Sequence, residues 1–261
     1  MSVMKKNMII RSAIVLAVLS SITLTSCIRG KYKDLPFGGM NGRVQKVTTW
    51  ILMPEMWYAG NRGSDIMAIT VSIYDIYGNE ICSAEMDSAE RVLSEAESLF
   101  EDGVCVRSSL KTGNRTIAQS SLISNKKGIL EYSKEMNGRR VRMSVKQNSF
   151  GRRHKSVVSE DGKVTTISVI KTDRHGYPIK IITKEPKTGK KTVETNIFDK
   201  KHNVKEKHIY TNMGEDGKDE ENIIYTDYGE ADDHGNWTSA RTYDKFHLPA
   251  QVLVREFEYW E

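Results

Sequence analysis

Apolar and polar residues alternate along much of this chain. The stretch 67–74 (MAITVSIY) has an apolar side chain at every second position, and the stretches 140–146 (RVRMSVK) and 192–197 (TVETNI) alternate in the same way. Successive side chains of a β-strand point to opposite faces of the sheet. This period of two therefore predicts an antiparallel sheet with one buried face and one face in water.

Turn signals recur between the alternating stretches. Corners of the Asp-x-x-Gly type begin at Tyr74 (YDIYGN), Thr172 (TDRHGY) and Asp232 (DDHGNW), and related corners begin at Phe198 (FDKKHN) and Tyr243 (YDKFHL). Several spacings match the length of one strand plus a turn, and others match the length of a hairpin, which is twice as long. Aspartate accepts hydrogen bonds from turn N–H groups, and glycine adopts a positive φ. The predicted turn residues are Asp75, Gly78, Asp173, Gly176, Asp199, Asp232, Gly235, Asn236 and Asp244.

Two corners lack the expected glycine. His202 and His247 occupy that position, so these turns either are of a different type or carry backbone strain. Asp161-Gly162 falls midway between two corners and predicts a tight hairpin turn. Because each unit has an apolar face that it cannot bury alone, the predicted fold is all-β. It is a long antiparallel meander of hairpin repeats that forms a curled sheet or open barrel.

One segment has a helical rather than a strand pattern. Within DSAERVLSEAESLFEDG the apolar residues recur at three- and four-residue spacing, Asp87 with Glu90 resembles a capping box, and Gly103 suits a C-cap. This pattern predicts an amphipathic helix over residues 88–101. The helix would either cover an edge of the sheet or bind a partner.

The corner sequences YDIYGN, TDRHGY, FDKKHN and DDHGNWTSARTYD resemble the Tyr-Asp (YD, or RHS-type) repeats of bacterial cell-surface proteins. They are similar above all to the short repeats of Gram-negative lipoproteins of uncharacterised function. The segment GMNGRVQKVTTW near Gly39 resembles the first strand of such lipoproteins. This resemblance implies a β-rich, extracytoplasmic, non-catalytic module. It does not extend to the closed shell of large RHS proteins, which needs many more repeats.

The N-terminal segment indicates export. A basic start is followed by an apolar run from Ser12 to Leu24, which is too short to span about 30 Å of hydrocarbon, so residues 1–26 are predicted to be a signal peptide. Residues 24–27 (LTSC) resemble the lipobox of bacterial lipoproteins, which implies cleavage before Cys27 and acylation of its thiol. The alternative is an ordinary signal peptide whose cysteine is incidental.

The predicted organisation follows from this cleavage site. Residues 27–40 are the lipidated cysteine and a tether, and residues 41–261 are a single β-repeat domain. Acyl chains on Cys27 would make the membrane a partner, because each buried methylene contributes about 0.8 kcal/mol. Ile28 stands where an inner-membrane retention signal would have Asp, and the following IRGKYKD lacks an acidic surface-export tag. We therefore expect an outer-membrane lipoprotein that faces the periplasm rather than the cell surface.

Charge is unevenly distributed within the predicted domain. Residues 139–210 contain 19 Lys and Arg against 7 Asp and Glu, whereas residues 211–261 contain 4 against 13. Three interpretations are open: the two stretches form solvated faces, they lie against each other, or a basic face meets an anionic lipid or acidic glycan. Nucleic acid is not expected as the partner of an exported protein.

Chemistry-bearing motifs are sparse. Cys82 and Cys105 are a candidate disulfide in an exported compartment, with two buried unpaired thiols as the alternative. The histidines show no zinc-ligand spacing, the acidic run at 215–221 lacks calcium-loop order, and no nucleophile or phosphate-binding motif occurs. His175 and His234 are a weak candidate for a metal site, which requires their turns to stack at one end of the sheet. We expect no catalytic residues, no metal and no cofactor.

Three functional classes remain open. The leading hypothesis is a lipid-anchored, non-catalytic scaffold or binding protein with an envelope protein or glycan as partner. The second is a half-barrel carrier of lipid or another hydrophobic ligand, which needs a continuous, open, apolar concave face. The third is a glycan-binding or glycan-processing protein, for which facing carboxylates and exposed aromatic side chains are required. The candidate aromatic residues are Trp50, Trp57, Tyr58, Trp237, Tyr259 and Trp260.

Overall fold

The computed structural model describes residues 40–54, 66–136, 138–147, 153–212 and 217–261. The predicted signal peptide, Cys27 and nearly all of the tether lie outside these residues, as do Trp57 and Tyr58. Sixteen strands are defined in the described part. They are β1 Val44–Leu52, β2 Ile66–Tyr74, β3 Glu80–Met86, β4 Val92–Glu101, β5 Val104–Thr112, β6 Arg115–Lys126, β7 Ile129–Met136, β8 Arg139–Gln147, β9 Arg153–Glu160, β10 Lys163–Thr172, β11 Pro178–Lys184, β12 Lys191–Phe198, β13 Val204–Asn212, β14 Glu220–Tyr228, β15 Ser239–Tyr243 and β16 Pro249–Tyr259.

The strands form one closed antiparallel barrel in which each strand pairs with its sequence neighbours. The all-β meander predicted from the alternation is therefore confirmed. The expectation of a curled sheet or open barrel is wrong, because β1 also pairs with β16, from Val44 opposite Tyr259 to Leu52 opposite Val252. Closure satisfies the backbone N–H and C=O groups that two free edges would leave unpaired.

The predicted helix over residues 88–101 is also wrong. The segment consists of a turn followed by β4, which pairs with β3 and β5. Three of the apolar side chains that would have formed the buried stripe of the helix are exposed instead, with Val92 at 52%, Leu93 at 45% and Leu99 at 55%. Sheet pairing on both sides supplies hydrogen bonds and burial that outweigh a weak local helical pattern. No helix among the described residues has the length and apolarity needed to cross a membrane.

The acid-led corners share one hydrogen-bond pattern. At Asp75, Oδ1 accepts the N–H groups of Tyr77 at 2.9 Å and Asn79 at 2.8 Å, and the main-chain N–H of Asp75 donates to the carbonyl of Asn79 at 2.9 Å. The same bonds to the second and fourth residues occur at the other predicted corners, namely Asp173, Asp199, Asp232 and Asp244. The prediction that these aspartates organise turns is confirmed.

The misread capping box is a further copy of this turn. Oδ1 of Asp87 accepts the N–H groups of Ala89 at 2.9 Å and Arg91 at 3.0 Å. The fourth position of the turn has a positive φ in every copy. In three copies it is a glycine, which adopts this φ without strain: Gly78, Gly176 and Gly235. In the other three it is a residue with a Cβ, for which this φ is strained: Glu90 (60°), His202 (63°) and His247 (57°). The two histidine corners therefore keep the turn type and carry the strain.

The predicted hairpin at Asp161-Gly162 is confirmed. β9 ends at Glu160 and β10 begins at Lys163, with φ values of 50° and 76° at the two connecting residues. Both values are positive, as in the type I′ turn whose twist matches the two strands.

The two faces of the barrel wall differ sharply, as β8 shows. Val141, Met143 and Val145 are buried, whereas Arg140 and Arg142 alternate with them and are exposed. Because a single barrel has only an inside and an outside, the deeply buried set faces the interior. There, Met143 and Val145 form an apolar cluster with residues of β7 and their neighbours, namely Leu130, Tyr132, Val104, Leu122 and Val158.

The N-terminal end of the barrel is held by a buried side chain in the Asp232 corner. Asn236 is fully buried, and its Nδ2 donates to the carbonyl of Asn41 at 2.8 Å and to the hydroxyl of Tyr259 at 2.6 Å. Its Oδ1 accepts the main-chain N–H of Asn41. The hydroxyl of Tyr259 in turn donates to the carboxylate of Asp232. One corner therefore links the chain just before β1 to the end of β16.

The candidate disulfide does not form. Cys82 and Cys105 are both free cysteines, half-buried and buried respectively. Cys82 lies on β3 opposite Glu97, whereas Cys105 lies on β5 opposite Phe100, so β4 runs between them. Two strand spacings amount to roughly 9.5 Å, beyond the Cα separation of about 7 Å that a disulfide tolerates.

Candidate functional site

An interior cavity of 210 Å³ lies against β1 to β5 and β16. Its wall consists largely of small or hydroxyl-bearing side chains, which leave room between the strands. Thr49 and Thr70 stand opposite each other on β1 and β2, and Ser83 and Ala96 do so on β3 and β4. The lining residues with charged or phenolic side chains are Tyr74, Glu85 and Arg255.

Arg255 is the unusual member of this wall. It stands opposite Thr49 in the β1–β16 ladder, so its side chain enters the interior rather than the solvent. The guanidinium carbon lies 3.6 Å from the ring centre of Trp237, close enough for a cation–π interaction. Its Nε is buried and has no hydrogen-bond partner among the described residues. Burial lowers the pKa of Arg255 from 12.5 to about 10, which still leaves the group charged at neutral pH.

Two phenols near Arg255 do not neutralise it. Burial, and then the carboxylate of Glu80, raise the pKa of Tyr74 well above 10. Burial also raises the pKa of Tyr228 to about 12, and its hydroxyl donates to the carbonyl of Val204 at 3.0 Å. Both phenols are therefore neutral at pH 7. The positive charge of Arg255 has no ionised partner among the described ion pairs.

Glu85 supplies the single carboxyl group of the described cavity wall. It is 7% exposed, and burial raises its pKa, an effect partly offset by a hydrogen bond with Ser94. A carboxyl group with a raised pKa can hold its proton and donate a hydrogen bond. The cavity therefore combines one permanent cation, several hydroxyl groups and one weak acid, which suits a small anionic or polar molecule.

The predicted turn residues do not converge on this cavity. They lie in the connections between strands, where their carboxylates accept main-chain N–H groups. The histidines of these corners meet aromatic neighbours. His202 stacks on Tyr177 with ring centres 4.5 Å apart and meets His175 edge-on at 5.4 Å, while His234 packs 4.0 Å from Tyr259. In the part of the chain that is described, no cluster of three or more His, Cys, Asp or Glu side chains could hold a metal ion.

The predicted sugar-stacking aromatics have other surroundings. Trp237 is 8% exposed and covers Arg255, and Tyr259 belongs to the buried group around Asn236. Trp50 and Trp260 are half-buried. These four positions do not form an exposed aromatic groove, and a single carboxyl group in the described cavity wall does not provide the pair that glycoside cleavage needs.

The interior also differs from that of a hydrophobic-ligand carrier. A carrier needs a continuous open apolar face, but Leu130, Tyr132 and Cys105 are fully buried and fill part of the interior. Elsewhere on the inner wall hydroxyl groups bond to one another, as in Ser108 with Ser120 at 2.6 Å and Ser168 with Thr183 at 3.1 Å. The cavity beside Arg255 is small, and its wall mixes apolar side chains with hydroxyl groups, one carboxyl group and one guanidinium.

Comparison with known proteins shows a likeness of fold only. No protein-family model matches the chain, and a search of the curated proteins finds no match. Among solved structures, the chain is similar to a porin-like protein from Bacteroides uniformis, with a TM-score of 0.50 and 10% identity over 84% of this chain and 99% of that chain. It is also similar to a porin-like protein from Bacteroides vulgatus, with a TM-score of 0.41 and 10% identity over 83% of this chain and 98% of that chain.

These findings correct the resemblance to YD or RHS-type repeats. The chain shares its architecture with a porin-like protein, and the recurring corners are connections of a closed barrel rather than units of an RHS array. The spacing of the corners follows from strand length, because a strand of about nine residues plus a short turn returns every twelve residues or so. Such a period arises in any regular meander. At 10% identity the likeness establishes the sixteen-stranded barrel and nothing about activity.

Proposed function

We propose that this protein is a lipid-anchored, non-catalytic envelope protein that binds a small anionic ligand inside its barrel. Its location is the periplasmic side of the outer membrane, where acyl chains on Cys27 are the anchor. The N-terminal sequence supports the anchor, and the interior cavity supports the binding role. The observation that carries the proposal is the charged Arg255 guanidinium, which lines a cavity and whose buried Nε has no hydrogen-bond acceptor in the described part of the chain.

The outer surface supports a tethered barrel rather than a membrane-spanning one. Outward positions on three strands carry charged side chains, namely Glu95 and Glu97 on β4, Lys111 on β5, and Arg140 and Arg142 on β8. An Arg or Lys facing lipid near the bilayer midplane costs roughly 2–4 kcal/mol. Such a wall is stable in water, so attachment to the membrane would depend on the N-terminal acyl chains.

The interior supports binding rather than passage. Porins of sixteen to eighteen strands enclose a water-filled channel. Here the inward side chains of Leu130 and Tyr132 are fully buried, and Tyr132 donates its hydroxyl to the carbonyl of Cys105 at 3.1 Å. Side chains therefore occupy this part of the interior, and a cavity with several hydroxyl groups lies beside Arg255.

The chemistry of the cavity favours an anion. Arg presents a planar fork of N–H donors that matches a carboxylate or phosphate. A charged hydrogen bond in such a site contributes about 1.5–3 kcal/mol. The contact with Trp237 restrains the guanidinium before a ligand arrives, which lowers the entropic cost of binding. Ser and Thr hydroxyls in the wall can complete the hydrogen bonds of a small carboxylate.

Calorimetric titration of the purified protein with acetate, succinate, phosphate and sulfate tests the binding role. We expect at least one of these anions to bind, and Arg255→Met to weaken that binding about ten- to a hundredfold. Methionine preserves an unbranched apolar side chain over Trp237. Arg107→Met is the matched control, because it removes the same charge from an exposed outward position on β5. Equal effects of the two substitutions, or no binding of any anion, would refute the binding role.

Labelling cells with radioactive palmitate tests the anchor separately. We expect label on the wild-type protein and none on Cys27→Ala, and we expect the unlabelled protein to leave the membrane fraction. Equal labelling of the two proteins would refute the lipid anchor while leaving the cavity proposal intact.

A further inference from the structure

The outward side of β8 to β12 is strongly basic, and we call it the basic face. It consists of the side chains that alternate with buried interior residues such as Val145, Ser156, Ile170 and Asn196. None of these outward positions is Asp or Glu. The cations of the basic face are Arg140, Arg142, Lys146, Lys155, Lys171, Lys180, Lys184 and Lys191.

Six of the lysines face one another directly across the strand ladders. Lys146 stands opposite Lys155, Lys171 opposite Lys180, and Lys184 opposite Lys191. Directly opposed like charges destabilise a sheet. The described ion pairs of the barrel include none of these lysines. An arrangement that costs stability in isolation becomes favourable when an anionic partner lies over it.

The lysine pairs surround an apolar centre. Val169, Ile182 and Val193 are consecutive partners across β10, β11 and β12, and Val157 and Ile167 form the adjacent row on β9 and β10. These five side chains are half-buried on the outer surface. Lysine pairs lie at both ends of the apolar centre and along its β8–β9 side.

We propose that the basic face binds the surface of an anionic bilayer, with the apolar centre against the headgroup boundary and the lysines on lipid phosphates. Apolar side chains ringed by Lys are the usual composition of an interfacial membrane surface. An acidic glycan would share the charge complementarity but gain little from the Val and Ile residues. The basic face has no aromatic side chain on which a sugar ring could stack.

Two further features fit a bilayer. The basic face is bounded by acids on both edges, Glu131 and Glu135 on β7 and Glu206 on β13, so its positive charge is confined to one side of the barrel. The tether from Cys27 to Met40 can reach at most about 45 Å when fully extended. That length lets a barrel anchored at Cys27 lie on its side. This inference rests on the proposed function only for the membrane address and is independent of the interior cavity.

Sedimentation with lipid vesicles tests the basic face without the anchor. The protein is the mature chain, residues 27–261, carrying Cys27→Ala so that no acyl chain contributes; it contains all sixteen strands. We expect binding to vesicles in which phosphatidylglycerol makes up a third of the lipid and phosphatidylcholine the rest, and little binding to phosphatidylcholine alone. We expect the double variant Lys184→Gln/Lys191→Gln to bind roughly thirty-fold more weakly, since each Lys near an anionic surface contributes about fivefold.

The matched control is Lys46→Gln/Lys111→Gln. It changes the net charge by the same amount, but these lysines pair with Glu258 at 2.7 Å and Glu97 at 2.9 Å, outside the basic face. We expect less than threefold weaker binding for this control. Equal losses in the two double variants would mean that overall charge rather than the basic face drives binding, and would overturn the proposal. Binding to neutral vesicles equal to that on anionic vesicles would also overturn it.

The apolar centre separates a bilayer from a soluble polyanion. Ile182→Thr shortens and polarises one central side chain, and we expect it to weaken vesicle binding about fourfold while binding to soluble polygalacturonate stays unchanged. Strong binding of polygalacturonate without vesicle binding would assign the face to an acidic glycan and overturn the bilayer. Thermal midpoints confirm folding of every variant. Lys184→Gln/Lys191→Gln should melt no lower than the parent, since it relieves like-charge repulsion. If the basic face does not bind anionic vesicles, the lipid anchor and the anion-binding role are still tested separately by palmitate labelling and anion titration.

Discussion

The substitution Asn236→Ala tests how the ends of the barrel are joined. The side chain is fully buried and makes three hydrogen bonds that bridge Asn41 and Tyr259. At about 1 kcal/mol for each bond, with buried partners left unsatisfied, the loss of unfolding free energy is about 3 kcal/mol or slightly more. For a chain of this size, that corresponds to a fall in Tm of roughly 6–12 °C.

The matched control is Asn203→Ala, in the corner of Asp199. Asn203 occupies the same turn position but is half-buried, and its Nδ2 bonds only the carboxylate of its own corner, at 3.2 Å. We expect this variant to lose about 1 kcal/mol or less. Urea denaturation followed by tryptophan fluorescence compares the two, and hydrogen exchange on β1 and β16 reports local opening. Similar losses in both variants, or no faster exchange at the β1–β16 ladder in Asn236→Ala, would refute the linking role.

Three further predictions concern strain, protonation and thiols. Glu90→Gly should raise the unfolding free energy by about 0.5–1 kcal/mol in urea denaturation, because Glu90 has a φ of 60°; Glu90→Ala should give no such gain. Burial raises the pKa of the Glu85 carboxyl group above 4.5 in the folded chain. As pH rises, the unfolded chain therefore loses this proton first, and the free energy of unfolding falls between the unfolded and the folded pKa. Glu85→Gln should therefore gain stability over wild type at pH 7 but not at pH 4. Thiol titration of the Cys27→Ala chain without reductant should find Cys82 and Cys105 both free after denaturation and slow to react when folded, with Cys105 fully buried. If the two cysteines formed a disulfide, the titration would detect no free thiol.

Local chemistry made the corners predictable from sequence. An aspartate whose side chain accepts the N–H groups two and four residues later specifies the turn almost alone. The sequence therefore predicts five of these corners. At Asp87 the sequence predicts a helix instead of this turn, because Glu90 occupies the glycine position and apolar residues follow at helical spacing. Asp87 follows Asp75 by the length of one strand and turn, the same period as the other corners, and this was the available signal.

Closure and the cavity depend on contacts far apart in sequence. Pairing of β1 with β16 joins the first and last strands of the described chain, and no local pattern distinguishes it from an open edge. Arg255 was missed because a charged residue in an alternating strand usually marks the solvent face. Its inward direction follows from the register with Thr49, which only the assembled barrel fixes.

The number of strands does not decide what this barrel does. A sixteen-stranded wall can enclose a channel, but the inner side chains determine whether water enters. Here small hydroxyl side chains bond one another along the wall, as in Thr192 with Thr211 at 3.2 Å, and a fully buried Tyr132 closes part of the interior. On the outside of β9 to β12, opposed lysine pairs lie at both ends of the apolar centre. The likeness to a porin-like protein therefore concerns the architecture alone, and the side chains on the two faces of the wall have to decide the role of this barrel.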